Sequence, residues 1–562
     1  MRRYDVVVVG SGHNALVTAA YLARAGRGVV VLEGNDRPGG LVRTEELTVP
    51  GFLHDTYSSA HPLFTTGPAY AELGPELTAL GLTYRNSRYC VGVSMPGART
   101  AVLSTDPEEN VAEAERLAPG DGAALTALLQ DFQPHAGPVF GLFAAELASP
   151  ASARVIHDLT HDDGHYSTFA QQFLRTARDL LEHTFASPVV HGLLAPWALH
   201  LGRGPDEVNS SFWTVMVLLA VTSAGMPTPE GGSERLARAL AALTERHGGR
   251  VETGRWVERI LVRDGRAVGV RTTDGEVVRA DRAVVASVNP DQLYLELLAH
   301  EDGVVPPLIR RQAADYRYGR GCVQIHLALS APPRFTDERL ARTGQSHLTG
   351  GLDALSRSVN EATRGLLPAE PTISIDTPAA ADPTRCPPGA AVARLQLLDV
   401  PLRLRGDAAG EIDTTDGWTD DVKNAFADRV LELAAHHAPN LPGAVLGRHV
   451  IAPPDLARFN PNCGPGDPYG GSHELAQSYL LRPLPGRPSH RTVVPNLFMV
   501  GAATWPGHGV NGGSGYIVAK ELTGAEQGEP VPASAAQGGV GELPHGRVHG
   551  RVVGQGVRRG RH

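Results

Sequence analysis

Apolar positions along the chain change period several times. Four consecutive valines end the run Tyr4 to Val9, which reads as a strand buried on both faces. Asn14 to Arg24 sets small residues on one helical face, and Val29 to Leu32 reads as a second buried strand, completing a βαβ unit. From about Pro107 to Ala224 helical periodicity takes over, as in Phe169 to Phe185, with proline and glycine between segments; this part reads as a helical insertion. A second α/β stretch follows: helix Ser233 to His247, strands Arg250 to Val262 and Ala267 to Thr272 parted by an Asp264-Gly265 turn, then strand Ala283 to Ala286. Val323 to Leu329, Thr372 to Ile375 and Val392 to Leu398 alternate like strands of a mixed or antiparallel sheet. Asp420 to His436 is an amphipathic helix, Asn496 to Val500 a short buried strand and Gly513 to Leu522 a final helix. The period fades after Gln527; residues 527–562 are rich in Gly, Arg and His, carry about +3, and read as a disordered tail.

Composition narrows the class. A chain of 562 residues with 42% hydrophobic and 20% charged residues can bury a large core. Its net charge of -9 offers phosphate no general attraction, so nucleic acid is not an expected partner. Cys90, Cys322, Cys386 and Cys463 are far apart without metal-type spacing, so neither a disulfide framework nor a metal site is expected. The apolar start after Arg2 and Arg3 breaks at Gly10, too early for a signal peptide. Phe212 to Ala224, the longest apolar stretch, falls short of the roughly 20 residues a bilayer span needs and is expected to be a buried or interfacial helix. The expected location is the cytoplasm, with peripheral membrane contact as a secondary expectation.

The chemistry begins at Gly10-Ser11-Gly12-His13-Asn14-Ala15, a G-x-G-x-x-A turn between the first strand and helix. Gly10 makes the turn, Gly12 lets a pyrophosphate approach the backbone, and Ala15 allows close helix packing. The helix N-terminus, with His13 and Asn14 in its first turn, offers N–H groups to phosphate. Glu33 ends the second strand, placed to accept hydrogen bonds from the hydroxyls of a ribose. Arg37-Pro38-Gly39-Gly40-Leu41-Val42-Arg43-Thr44 is a second glycine turn directly after that strand.

With this second turn the chain resembles the phytoene desaturase and amine oxidase superfamily of FAD enzymes. Asn496 to Gly512, with Gly501, Trp505, Gly507, His508, Gly509, Val510 and Gly512, resembles that superfamily's C-terminal flavin segment. Gly231-Gly232, the helix after it, and Arg250 to Val257 resemble the segment beside the adenine, where Val257 gives backbone contacts. The resemblance implies an α/β fold: a discontinuous Rossmann-type FAD-binding domain (1–95, 226–300 and 485–526) with an interleaved substrate domain (96–225 and 301–484) of mixed β-sheet plus helical insertion. It assigns FAD contacts to Gly10, Gly12, His13, Asn14, Ala15, Glu33, Gly39, Gly40, Leu41, Arg43, Val257, Gly501, Val510 and Gly512.

Absences limit the reaction. The sequence contains neither a redox cysteine pair nor a second nucleotide-binding βαβ unit, so electrons are expected to pass from an organic substrate to oxygen, a quinone or another diffusible acceptor. Many amine oxidases of the superfamily set a lysine near the flavin; here the only lysines, Lys423 and Lys520, fall in unsuited helices. The R-P-G-G-L turn, Gly51-Phe52 and the end motif are closer to the phytoene-desaturase-like branch, which implies dehydrogenation of an apolar, isoprenoid or polyene substrate. An amine oxidase and a non-catalytic prenyl-binding protein on the same scaffold are the alternatives. Asp55, His61 and His508, with His54 beside them, are the candidates for proton handling, because imidazole titrates near neutral pH and a carboxylate can orient it.

Overall fold

A computed structural model describes residues 2–524; the expected disordered tail, 527–562, lies outside the described residues. A parallel core sheet holds β1 (Arg2–Val9), β2 (Val29–Leu32), β3 (Arg250–Glu252), β6 (Val277–Ala286) and β7 (Leu497–Met499). Antiparallel β4 (Val257–Arg263) and β5 (Arg266–Thr272) extend it, in the order β3-β2-β1-β6-β5-β4 with β7 also on β6. The valines of β1 alternate between two cores. Val7 and Val9 meet Val30, Leu32, Val284 and Ala286, while Val6 and Val8 meet Ala15, Ala19 and Leu22 of α1 (His13–Arg24). Two-sided burial thus explains the continuous apolar run.

The expected strand Arg250 to Val262 is two strands on opposite sides of the sheet order. The break lies at Thr253 to Trp256, where Gly254 adopts φ +65° and the chain leaves β2 to pair with β5. Likewise Phe169 to Phe185 is two helices, Thr168–Leu174 and Ala177–Thr184, because the Thr176 side chain caps a new helix on the Asp179 amide.

The helix α2 (Ser210–Ala224) packs Phe212, Val215, Met216, Leu218 and Val221 into the core of the helical region, which makes it a core helix. Among the described residues no helix is long and apolar enough to cross a membrane. A second, seven-stranded sheet runs Val445–Ile451, Gly321–Leu329, Ala391–Val400, Ile373–Asp376, Thr343–Leu348, Tyr89–Met95, Arg99–Leu103. Tyr89–Met95, which ends at the expected boundary at 95, therefore pairs within this second sheet, parallel to Thr343–Leu348. One face of the sheet carries Val323, Ile325, Leu327, Leu395 and Leu397 against Phe426 and Val430 of helix Asp420–Ala435. Its other face carries polar side chains, with Gln324 and Arg394 donating to the Tyr57 carbonyl and His347 meeting His200 of the helical region.

Candidate dinucleotide site

The order β2-β1-β6 places a switch point between β1 and β6, where parallel strands leave a crevice at their carboxyl ends. Gly10, Glu33, Ser287 and Gly501 follow the ends of four of these strands. A Cβ on Gly10 or Gly501 would lie about 3.5 Å or 3.4 Å from Ser287, so three chain segments meet there. The first turn of α1 has no side-chain cap and begins at Gly12, leaving its amides for an anion.

The two glycine turns lie against one another: Gly12 and Gly39 form a parallel bridge, and Gly39 donates to the Ser11 carbonyl at 3.0 Å. Gly39 has φ +125°, and a Cβ there would stand 2.6 Å from the Val42 carbonyl, so only glycine fits this turn. Gly40 approaches the Cα of Gly12, and Leu41 accepts a bond from Ser58 at 3.3 Å.

Glu33 is buried, and its Oε2 accepts from the Ser11 amide at 2.9 Å and the Ser11 hydroxyl at 2.6 Å; Oε1 accepts from the Asn35 amide at 2.8 Å. A carboxylate has about four acceptor positions, so capacity for a ribose hydroxyl remains. Arg255 and Gly254 donate to the Glu33 and Asn35 carbonyls at 2.7 and 2.8 Å, which seats Val257 beside the same edge. Sequence reasoning misses Ser11 and Ser287 as functional residues; Ser11 occupies a variable position inside the motif.

At the far end α4 (Gly513–Thr523) starts on Gly512 and crosses α1 so closely that a Cβ on Gly515 would lie 2.0 Å from the Asn14 carbonyl oxygen. Asn14 is therefore spent on packing: its Oδ1 accepts from the Gly515 amide at 3.3 Å and its Nδ2 faces His13 Nε2 at 3.1 Å. The Gly515 amide bond to Asn14 ties the first motif to the last. Ala15 is fully buried against the sheet, and Val510 packs with Phe64 and Tyr70. Arg43 lies over the Phe459 ring at 5.1 Å and pairs with Glu45 at 3.0 Å.

The residues selected for proton handling fall in two places, with Asp55 and His61 meeting at Ser233 and His508 apart from them. Asp55 accepts from Thr44 Oγ1 at 2.8 Å, the Ser233 amide at 2.7 Å and Arg385 Nη2 at 3.0 Å, all buried. His61 bonds Ser233 Oγ at 2.7 Å and Tyr84 at 3.1 Å, and burial pushes its pKa down to about 3. His54 bonds Thr48 at 2.8 Å and is pushed down to about 4, again by burial. These three brace the turn that follows the second glycine motif. His508 alone sits within the flavin segment. Its Nε2 faces the His200 carbonyl and must donate, so Nδ1 accepts from His473 Nε2 at 3.0 Å; burial holds it neutral, with a pKa pushed down to about 4.

The site fits FAD: an uncapped helix N-terminus, a glycine-lined backbone crevice and a buried carboxylate with free acceptor capacity stand in dinucleotide order. Glu33→Ala is expected to cut FAD affinity by tenfold or more, because charge-assisted bonds worth about 1.5–3 kcal/mol each disappear and Ser11 loses its anchor. The FAD-to-protein absorbance ratio after gel filtration checks it; an unchanged ratio would show that the acid does not serve the ribose.

The chain is 28% identical over 559 residues to pyridine nucleotide-disulfide oxidoreductase domain-containing protein 2 of Mus musculus, covering 92% of this chain and 94% of that protein. It is 26% identical to a limonene dehydrogenase chain of Castellaniella defragrans, over 93% of this chain and 95% of the relative. It is also 26% identical to a zeta-carotene-forming phytoene desaturase of Myxococcus xanthus, over 90% of both. An oxidoreductase structure from Methanosarcina mazei superposes with a TM-score of 0.60 at 16% identity, covering 92% of this chain and 99% of that one, which supports the fold. The model of the flavin containing amine oxidoreductases matches residues 16–433, from α1 through the second glycine turn to the helix over the second sheet, and the chain belongs to that family of FAD-containing oxidoreductases.

Proposed function

We propose that the protein dehydrogenates an apolar, isoprenoid or polyene substrate. One observation carries this reading. Phe143, Trp213 and Tyr479 form a partly accessible aromatic wall around Trp505 of the flavin segment: Phe143 stacks on Trp505 at 5.2 Å and on Trp213 at 6.2 Å, and Trp213 stacks on Tyr479 at 6.3 Å. Trp505 is fixed by donating Nε1–H to the Leu142 carbonyl at 2.8 Å. Aromatic faces of this kind hold an apolar chain by excluding water from it.

Bound FAD would accept the hydride equivalent from the substrate and pass electrons to oxygen, a quinone or another diffusible acceptor. The chain's own part is to position the C–H bond within near-attack distance and keep water out. The helical region supplies the wall, the N-terminus of α4 at Gly512 would face a bound flavin, and neutral His508 stands in the same segment with its proton committed to His200.

Both lysines are engaged elsewhere, which weighs against amine oxidation. Lys423 pairs with Asp420 at 2.7 Å and Asp455 at 3.1 Å; Lys520 pairs with Glu72 at 2.9 Å over the rings of Tyr21 and Tyr516. The test is anaerobic mixing of the FAD-loaded protein with isoprenoid hydrocarbons and alcohols and with primary and secondary amines. Bleaching by an isoprenoid, slowed about tenfold or more in Trp213→Ala through lost positioning, is the expected result. Bleaching by amines alone would replace this reading with amine oxidation, and a protein that takes up no FAD would favour the non-catalytic prenyl-binding alternative.

A further inference from the structure

The strand Val445–Ile451, at one edge of the second sheet, leads into the helix Pro453–Phe459. The chain that follows, Phe459-Asn460-Pro461-Asn462, lies against the dinucleotide crevice, and three contacts seat it there. The Phe459 ring stands 4.8 Å from that of Tyr57 and 5.1 Å from the guanidinium of Arg43, which belongs to the second glycine turn. Asn462 Nδ2 donates to the Ser287 carbonyl at 2.8 Å, just beyond the end of β6. The Asn462 carbonyl accepts in turn from Nδ2 of the buried Asn289 at 2.6 Å. A segment more than 400 residues from the first glycine turn is thus held beside Gly12, Gly40 and Ser287.

Asn460 is the residue of this segment that faces the seam between the two glycine turns. A Cβ on Gly40 would lie 3.4 Å from the Gly12 Cα and 3.9 Å from Asn460 Nδ2, its nearest neighbours beyond the adjoining residues. The other end of the carboxamide sets its orientation. Oδ1 accepts from the Asn462 amide at 3.1 Å and caps the short turn Pro461–Cys463, so Nδ2 is the end turned to the glycines. This cap is the hydrogen bond that the side chain makes among the described residues, which leaves the protons of Nδ2 for another acceptor. Gly12, Gly40 and Asn460 are each partly accessible and border one opening. Between the α1 N-terminus and the second glycine turn, it is the part of the crevice suited to a pyrophosphate. A fixed N–H beside two backbone segments without side chains has both the room and the polarity for an oxyanion.

We propose that Asn460 is a further FAD-binding residue, donating an Nδ2 proton to a pyrophosphate oxygen of the cofactor. Bound FAD thereby ties the second sheet to the parallel core sheet, since the glycine turns hold the pyrophosphate from one side and Asn460 from the other. The assignment depends on the cofactor and not on the identity of the substrate.

The test measures the FAD dissociation constant of full-length protein by ultrafiltration. Asn460→Asp keeps the capping oxygen for the Asn462 amide and puts a carboxylate oxygen where the donor stood; Asn460→Ala removes both. Alanine is expected to weaken FAD binding about tenfold, and aspartate about a hundredfold or more, because like charges then face each other. ADP and adenosine, used as competitors of FAD, differ by the diphosphate, and in Asn460→Asp the ratio of ADP to adenosine affinity is expected to fall about tenfold or more. A residue that only caps the turn gives the reverse order, with alanine damaging and aspartate harmless. That order, FAD affinity unchanged in both variants, or equal losses for ADP and adenosine would each overturn the assignment. Should either variant not fold, Asn460→Ser, which keeps a capping oxygen without the amide, is read in its place: a loss of FAD affinity of about tenfold supports the assignment, and unchanged affinity overturns it.

Discussion

Arg385→Ala is expected to destabilise the folded chain by about 3–5 kcal/mol, the usual cost of removing one partner from a buried ion pair. Arg385 is fully buried, with Nε on Asp382 Oδ2 at 2.7 Å and Nη2 on Asp55 Oδ2 at 3.0 Å and on the Pro229 carbonyl at 3.2 Å. Alanine would leave two carboxylates facing each other without water. The loss reaches the cofactor, because Asp55 also holds the Ser233 amide and Thr44, and so joins the second glycine turn to the start of α3 (Glu234–Arg246). Urea denaturation of the FAD-loaded protein should show the drop, and Asp55→Asn added to Arg385→Ala should recover part of it by removing one unpaired charge. A loss under about 1 kcal/mol would mean that water enters the triad.

Acidification is expected to destabilise the protein through its buried histidines. His54, His61 and His347 lie inside the molecule, where burial pushes their pKa values down to about 4, 3 and 3 from 6.5. The unfolded chain therefore binds more protons than the folded one. The stability they contribute is complete above pH 6.5 and is lost as pH falls toward their folded values. Near pH 5 each costs about 2 kcal/mol, about 6 kcal/mol together. Asp399 and Asp467 act oppositely: burial raises both to about 6, so the folded state holds their protons and gains stability as pH falls through 6. That offset cancels part of the histidine effect. The histidines outnumber the two aspartates, and His326 and His508, also held below their ordinary values by burial, act in the same direction. Urea midpoints at about pH 7.5, 6 and 5 should fall steadily, a large change against a total stability of about 5–15 kcal/mol. A flat profile would show that these rings are protonated in the folded state.

The local elements were legible wherever one physical rule acted alone. The valines of β1, the turn from Gly10 to Ala15 and the acid at Glu33 follow from two-sided burial and from what a pyrophosphate and ribose require, and they fall as expected. The elements that differed are those in which the chain changes partner partway. Arg250 to Val262 has one apolar pattern but serves two strands, since period alone cannot tell which neighbour each half will meet. Among the proton-handling candidates, His61 and Asp55 looked reactive by type. Their environment gives them other work: Ser233 and Arg385, distant in sequence, occupy their polar atoms. The signal for that was absent from their own neighbourhood in the chain.

What the amino-acid sequence determined by itself was the cofactor end of the protein: the glycine turns, the terminal acid and the final flavin segment, each a short stretch whose chemistry depends on adjacent backbone. What only the tertiary structure decided was the surroundings of the second sheet's polar face. The alternation along Gly321–Leu329 and Ala391–Val400 gives one apolar and one polar face, and a polar face ordinarily meets water. Here the segment from Phe52 to Tyr57 covers much of it, and His200 of the helical region meets it at His347. Hydrogen bonds across strands then settle which polar groups are satisfied, and they leave His347 Nδ1 without a partner beside the flavin segment. No local pattern records that outcome, because it depends on pairing among residues on different strands and helices, up to 147 positions apart.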